Sequence, residues 1–298
     1  MTAHRPAAAA LLAACLAAGL SPAAAQPAPP TAPAPPQATA KPAAKPVPQK
    51  PATAKSAPAS TAPASGSAPA AAGHEPDLAF GAFQRGFYLT ALALATRRVE
   101  EKSDSKAMTL LGEIYGNGFG VSRDDDKAAQ WYKLAADRGD REAMFALAMF
   151  RLSGRGGPGN REEAIKLLAG AAKLGHVAAA YDLALLYLEG QLLPQDLARA
   201  AELFRSAAQA GSPEAQYALA TLYKDGRGVP QNPVEAARLL AAAALADNTD
   251  AELEYGIVLF NGTGVAKDEA AAAVLLRKAA HKGNPVAQNR LALSLIHI

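Results

Sequence analysis

Three stretches of the sequence share one arrangement of glycines, a capping side chain and alanines: GFGVSRDDDKAAQWY at 118–132, GRGVPQNPVEAARLL at 226–240 and GTGVAKDEAAAAVLL at 262–276. A Gly-x-Gly that precedes a helix can bind phosphate, or it can form a turn between two helices. A phosphate loop follows a strand, occurs once and ends in Lys followed by Ser or Thr. The recurrence seen in this sequence therefore favours a structural turn.

The three stretches belong to a repeat with a constant period of 36 residues. The lines of this repeat align without insertions when they begin at Ala107, Ala143, Ala179, Ala215, Ala251 and Ala287. Residues are referred to below by their position, 1 to 36, in these lines. Position 12 is glycine in five lines, which predicts a positive φ just past a helix end. These glycines are Gly118, Gly154, Gly190, Gly226 and Gly262.

Position 18 predicts the start of a second helix in each line. Its side chains are Asp or Asn, which accept hydrogen bonds from the exposed amides of a first helical turn. Glu163 and Glu235 follow at the spacing of a capping box, and Pro233 occupies a first-turn place where its missing amide is tolerated. The predicted caps are Asp124, Asn160, Asp196, Asn232 and Asp268.

Alanines at positions 22 and 29 form a stripe along this second helix, because seven residues are close to two helical turns. Small residues in a stripe let two helix backbones approach closely, and the bulky residues between them fill the remaining space. The first helix carries alanine at position 1 and, in most lines, leucine at position 5. Each line therefore predicts an antiparallel helix pair.

The pattern A-x-x-x-L-G-x-x-Y-x-x-G-x-G-V, then D, then A-x-x-W-Y-x-x-A-A-x-x-G resembles the Sel-one-like repeat (SLR) family, relatives of the tetratricopeptide repeats. The resemblance runs from Ala107 to the chain end. It implies an all-α fold, a right-handed α/α superhelix (solenoid) of five to six 36-residue helix-turn-helix repeats. Residues 76–106 are closer to the tetratricopeptide pattern around Gly86 and Tyr88, and we expect them to form an N-terminal helical cap.

The predicted repeat units are 107–142, 143–178, 179–214, 215–250 and 251–286, with a partial unit at 287–298. This last unit stops at Leu-Ser-Leu-Ile-His-Ile, residues 293–298, which is also the translation of a widely used transposon sequencing adapter. Solenoids end in solvated capping units. We therefore expect the natural protein to continue beyond this point with a different sequence, and we assign no function to His297.

Residues 1–25 have the pattern of a secretory signal peptide, with Arg5, an apolar run at 7–20 and small residues before Gln26. They predict export to the bacterial periplasm. The alternative is a lipobox ending at Cys15, which would make a lipoprotein anchored to the membrane through that residue. The Pro/Ala/Lys-rich segment 26–75 predicts a disordered linker, because it has almost no large apolar side chains to bury.

Charge and cysteine content exclude several classes of protein. Five of the 30 basic residues precede Glu75, the first acidic one, which leaves 25 bases against 27 acids in the rest of the chain. This balance argues against a nucleic-acid partner. Cys15 is the single cysteine, so the mature chain forms no internal disulfide.

Catalytic motifs are missing from the sequence, which predicts a non-enzymatic protein with no cofactor and no metal. There is no His-x-x-x-His, Cys/His cluster or Gly-x-Ser-x-Gly, and the one Ser-x-x-Lys, from Ser103 to Lys106, is interpreted as a turn. His176 and His281 lie near the ends of second helices, and His281 with Lys282 falls where a cation is favoured by the helix dipole. Some cysteine-rich members of the family that the sequence resembles are linked to β-lactams, but their paired cysteines are absent from this chain.

Positions 4 and 11 of the first helix are seven residues apart and share a face, as Asp182 and Glu189 do. In tetratricopeptide-like arrays the first helix lines the concave surface, so the resemblance implies an acidic strip that could meet a basic segment of a partner protein or peptide. The candidate residues are Tyr181, Asp182, Glu189, Tyr217, Asp225 and Glu254. Alternatives are a merely solvated face, an envelope-polymer (peptidoglycan or polysaccharide) binding protein, and third a cell-wall or β-lactam-acting enzyme.

Overall fold

The computed structural model of the protein describes residues 77–296, and for 292–296 the backbone alone. The expected signal peptide, the linker, Cys15 and His297 lie outside the described residues. Over 77–296 the chain forms 13 α-helices and no strand, which confirms the all-α prediction. Consecutive helices pack against each other in order along the chain, as in an α/α solenoid.

The first two helices precede the repeats, and the others alternate between first and second helices of a unit. The first helices, called A helices below, are α3, α5, α7, α9, α11 and α13; the second, called B helices, are α4, α6, α8, α10 and α12. The bounds are α1 Leu78–Gln84, α2 Tyr88–Lys102, α3 Ser105–Asn117, α4 Asp125–Ala136, α5 Arg141–Ser153, α6 Arg161–Lys173, α7 Val177–Glu189, α8 Leu197–Gln209, α9 Pro213–Asp225, α10 Pro233–Leu245, α11 Thr249–Asn261, α12 Glu269–His281 and α13 Pro285–Ile296.

The turn from an A helix to its B helix is built as the repeat pattern predicts. The position-12 glycines have φ between 69° and 72°, in the left-handed region that favours glycine. The first of them, Gly118, donates its backbone N–H to the carbonyl of Ile114 at 3.0 Å. Each position-18 side chain accepts the backbone N–H three residues later, at 2.9 to 3.1 Å. The predicted glycine turn and N-caps are therefore confirmed.

In the expected capping boxes the N-cap side chain accepts its hydrogen bond, but the Glu side chain does not bond back to the N-cap residue. Glu163 pairs with Arg151 at 2.9 Å, and Glu235 pairs with Arg238 at 2.6 Å. The backbone N–H of each N-cap residue donates instead to the carbonyl of position 9 in the preceding A helix, at 2.9 to 3.0 Å in all five units. Because this bond uses the main chain, position 9 accepts side chains as different as Tyr115, Arg151 and Leu259.

The second glycine of Gly-x-Gly, at position 14, has a different role from the first. A Cβ on Gly228 would lie 2.3 Å from the carbonyl oxygen of Leu197, and one on Gly264 would lie 2.3 Å from that of Pro233. Both carbonyls belong to the first turn of the B helix in the preceding unit. The loop of one unit therefore touches the backbone of the unit before it, which requires a residue without a side chain.

The alanine stripe forms the contact between helices, as predicted. All ten alanines at positions 22 and 29 of the B helices are at most 4 % exposed. Apolar clusters join them to the A helices on either side, and one cluster runs from Ala180 to Val258 through the fully buried Phe204. The core is thus a continuous layer between A and B helices.

The turns from B to A helices use glycine in four units and Asp247 in the other. Asp247 has a φ of 64°, which is unfavourable for a residue with a side chain. Its carboxylate pairs with Lys278 at 2.7 Å, and its carbonyl accepts from Lys282 at 3.0 Å. Both lysines also reach the buried carboxylate of Glu252, at 2.8 and 2.7 Å. These ion pairs hold the turn where glycine is missing.

Replacing Gly228 with alanine tests the contact between units. Gly211 also has a positive φ, but an added Cβ there meets nothing within 4 Å, so Gly211→Ala is the matched control. We expect Gly211→Ala to lower the free energy of unfolding by about 1 kcal/mol, the price of the left-handed conformation. Gly228→Ala should lower it by about 1 to 3 kcal/mol more, because the loop must move. Equal losses in urea unfolding would contradict this account of position 14.

Overpacking the alanine stripe should also destabilise the fold. Ala207 is 1 % exposed in α8, and Ala198 lies on the exposed side of the same helix. We expect Ala207→Leu to lower the free energy of unfolding by about 1 to 3 kcal/mol, and Ala198→Leu to change it by less than about 0.5 kcal/mol. Thermal unfolding followed by circular dichroism measures both, and similar melting shifts would refute the assigned register.

Candidate functional site

The A helices present an apolar strip on the side away from the B helices. Positions 3, 7 and 10 share this side because they follow the helical period, and most of their side chains are half-buried. We call this surface the A-helix face. In α5, α7, α9 and α11 it consists of Phe145, Met149, Leu152, Tyr181, Leu185, Leu188, Tyr217, Thr221, Lys224, Leu253, Ile257 and Phe260.

Acidic residues at positions 36, 4 and 11 border this strip, since these positions follow the same side of the helix. Over α5, α7, α9 and α11 they are Glu142, Asp182, Glu189, Glu214, Asp225, Asp250 and Glu254. At positions 36, 4 and 11 and in the apolar strip of these four helices, the basic residue is Lys224, at position 10. This part of the A-helix face therefore combines apolar area with a strong excess of negative charge.

The sequence-predicted site residues differ in their surroundings. Glu189 and Asp225 are exposed. Glu254 is half-buried and pairs with Lys224 of the preceding A helix at 3.0 Å. Tyr181 and Tyr217 are half-buried, and burial raises the pKa of both hydroxyls. All five lie on or beside the A-helix face, and partner binding by them stays a prediction.

Asp182 corrects the expectation of a solvated strip. It is 2 % exposed, and its Oδ2 atom is buried without a hydrogen-bond partner among the described residues. Burial raises the pKa of this carboxyl to about 7, against the opposing effect of the nearby His176. The physical reason is packing, because position 4 of this unit is covered by the neighbouring elements rather than by water.

His176 has a structural role that the sequence reading missed. It follows the end of α6 by three residues, as expected, and is also the N-cap of α7. Its Nδ1 accepts the backbone N–H of Ala179 at 3.0 Å, so the proton is on Nε2, which donates to Glu142 at 3.0 Å. The ring stacks on Phe145 with a centroid distance of 4.4 Å. His281, in contrast, is the last residue of α12, as expected.

A sequence signal for this cap exists at position 34. The side chain there accepts the backbone N–H of the position-1 alanine, three residues later, throughout the array. The six caps are Asp104, Asp140, His176, Ser212, Asn248 and Asn284. Most of these residue types are common N-caps, so reading that column would have located the start of every A helix.

A groove on the other side of the array is lined by charged side chains that already have hydrogen-bond partners. It has a volume of about 290 Å³ and lies between α8 and α10. Arg238 forms two hydrogen bonds with Glu235, and Arg205 donates to the Tyr223 hydroxyl at 3.2 Å. Its guanidinium groups therefore already have partners, which makes this groove a weaker candidate than the A-helix face.

The described residues contain no group of three or more His, Cys, Asp or Glu side chains arranged to hold a metal ion. Among the helices of residues 77–296, none combines the length and apolar character needed to span a bilayer.

Stacked helix pairs with a 36-residue period and an extended A-helix face define an α/α solenoid. The sequence signature of the Sel1 repeat matches five consecutive segments, 105–140, 141–176, 177–212, 213–248 and 249–284. The chain therefore belongs to the Sel1 repeat family. Proteins of this family are generally protein-interaction scaffolds.

The solved structures that are similar to this chain include two other proteins with this repeat. One is a protective antigen of uropathogenic Escherichia coli with an SLR fold, at 26 % identity and a TM-score of 0.66 over 72 % of this chain and 48 % of that one. The other is a Sel1 repeat protein from Oxalobacter formigenes, at 25 % identity and a TM-score of 0.64 over 71 % of this chain and 86 % of that one. The chain thus spans about half the length of the first relative. A comparison with curated proteins finds no match.

The burial of Asp182 predicts a pH-dependent stability. The raised pKa means that the folded state keeps this proton between about pH 4 and pH 7 while the unfolded state loses it, so stability falls as the pH rises through that window. Asp182→Asn removes the carboxyl group that binds this proton. We expect the variant to gain about 1 to 3 kcal/mol relative to the unsubstituted protein on going from pH 5 to pH 8. Urea unfolding at the two pH values measures the gain.

The exposed Asp225→Asn variant is the control for this measurement, and it should follow the pH profile of the unsubstituted protein. Parallel profiles for Asp182→Asn and the unsubstituted protein would show that the buried carboxyl does not control the pH dependence.

Proposed function

We propose that the protein is a non-enzymatic scaffold of the bacterial periplasm whose A-helix face binds a basic, amphipathic segment of a partner protein. Export rests on the signal-peptide pattern of residues 1–25. The partner surface rests on one observation, the apolar strip of α5, α7, α9 and α11 bordered by seven acidic side chains at positions 36, 4 and 11, with Lys224 the basic residue among these positions and the strip.

The apolar strip supplies the contact area. Its side chains are held in place by the core on one side and are half-buried, so a partner can cover them without ordering a mobile loop. Covering apolar area of this kind is favourable, at about 25 cal/mol for each Å² removed from water. Tetratricopeptide arrays use their first helices as the inner surface of the solenoid, which would let one partner segment contact several units at once.

The acidic border supplies selectivity for charge. A field of one sign attracts an oppositely charged segment and disfavours an acidic one. The exposed side of a B helix is different: in α4 it carries Asp126, Lys127, Gln130 and Lys133, a mixture of signs. Such a mixture is typical of a solvated surface, so the A-helix face is the better candidate for binding.

Photo-crosslinking in intact cells tests this proposal. A crosslinking amino acid at Leu188 or Thr221 on the A-helix face should capture a partner, and one at Gln130 or Lys166 on the exposed side of B helices should not. Mass spectrometry should place the captured peptides in segments rich in Lys or Arg and apolar residues. Equal capture from both faces, or capture of acidic segments, would contradict the proposal.

Charge reversal gives the matched variants. Glu189→Lys combined with Asp225→Lys should lower the crosslinking yield at least about fivefold, because both side chains are exposed beside the apolar strip. Glu162→Lys, on the exposed side of α6, changes the net charge without touching this face and should leave the yield unchanged.

A further inference from the structure

We propose, on the basis of the function proposed above, that Asp182 is the point at which the A-helix face receives a lysine or arginine side chain of the partner. The inserted cation would complete an ion pair for which residues 77–296 supply only the acid. The inference adds one specific residue and one specific partner group to a surface described so far by its overall character.

A comparison between units carries the inference. Two of the predicted units place an acid at position 4, Asp182 and Glu254. Glu254 is paired at 3.0 Å with Lys224, which occupies position 10 of the preceding A helix. The residue at the same place before Asp182 is Leu152, which has no charge. The repeat thus builds an acid–cation pair across two A helices in one place and omits the cation in the other.

Among the residues that the structure describes, no lysine or arginine beside Asp182 replaces the missing lysine. The Oδ2 of Asp182 is buried and unpartnered, and a buried carboxylate without a partner is strongly unfavourable. The titratable groups nearest to it are His176 at the start of α7 and the adjacent Tyr181. Glu142 of α5 is hydrogen-bonded to the imidazole of His176, and Glu214 of α9 acts electrostatically on Tyr181. None of the four is a lysine or an arginine.

Proton linkage follows from this arrangement. Burial raises the pKa of the Asp182 carboxyl to about 7, so the free protein holds a proton there at neutral pH for part of the time. An ammonium or guanidinium group beside the carboxyl would favour the charged form and release that proton. Binding should therefore become stronger as the pH rises from about 6 to about 8, by about tenfold for one proton.

The test uses a synthetic amphipathic helical peptide of leucine and lysine as the probe, with binding followed by calorimetry at pH 6 and pH 8. The unsubstituted protein should bind it about tenfold more tightly at the higher pH. Asp182→Asn should remove this pH dependence and weaken binding at pH 8 about tenfold or more. Leu152→Lys should have the same effect, because its lysine would pair with Asp182 as Lys224 pairs with Glu254.

Asp225→Asn is the matched control, since it removes an exposed acid of the same face and should keep the pH dependence. Circular dichroism checks that all variants are folded. A second measurement needs no peptide: carboxyl NMR of Leu152→Lys should show Asp182 titrating at a lower pH than in the unsubstituted protein.

Three results would overturn the inference: Asp182→Asn with the pH profile of the unsubstituted protein, absence of peptide binding at pH 8, or an unchanged Asp182 titration in Leu152→Lys. Each of them leaves the proposed scaffold function to its own test, because crosslinking in cells depends neither on this peptide nor on Asp182.

Discussion

The close approach of consecutive helix backbones is the constraint on which the rest of the structure depends. Helices of 12 to 15 residues, the length of those in the repeats and of α2, are marginal in isolation. Alanines at positions 22 and 29 let each B helix lie against its neighbours, and the glycine found at position 14 in four of the five units lets the loop approach the preceding helices closely. The position-9 carbonyl then fixes the start of every B helix by a main-chain bond. Stability arises from these contacts between neighbours.

Much of the fold could be predicted from the sequence, because the features that set it are local. A glycine just past a helix end, or an Asp or Asn before a helix start, acts within a few residues of itself, so Gly118 and Asp124 disclose their roles in one line. The return bond of the capping box, from the Glu side chain to the N-cap backbone N–H, failed as a prediction for the opposite reason. Its competitor, the carbonyl of position 9, is nine residues away and becomes available only when the turn has closed.

The candidate site was less predictable, because burial on the A-helix face depends on the neighbouring units. Asp182 and Glu254 occupy the same position in the repeat, yet one is buried without a partner and the other meets Lys224. The difference comes from position 10 of the preceding unit, 30 residues away in the case of Glu254. The capping role of His176 was missed for a related reason, since it depends on the helix that follows this residue. Positions that repeat identically define the fold, and positions that differ between units define the chemistry of the face.

Each turn bond and each glycine contact described above closes within one unit or with the adjacent one. Gain or loss of a whole unit by tandem duplication or deletion would therefore preserve every type of contact and change only the number of A helices in the array. The length of the A-helix face can therefore change by whole units, while single substitutions at positions 4 and 10 change the chemistry of one unit at a time. Architecture and recognition are thus inherited through different columns of the same repeat.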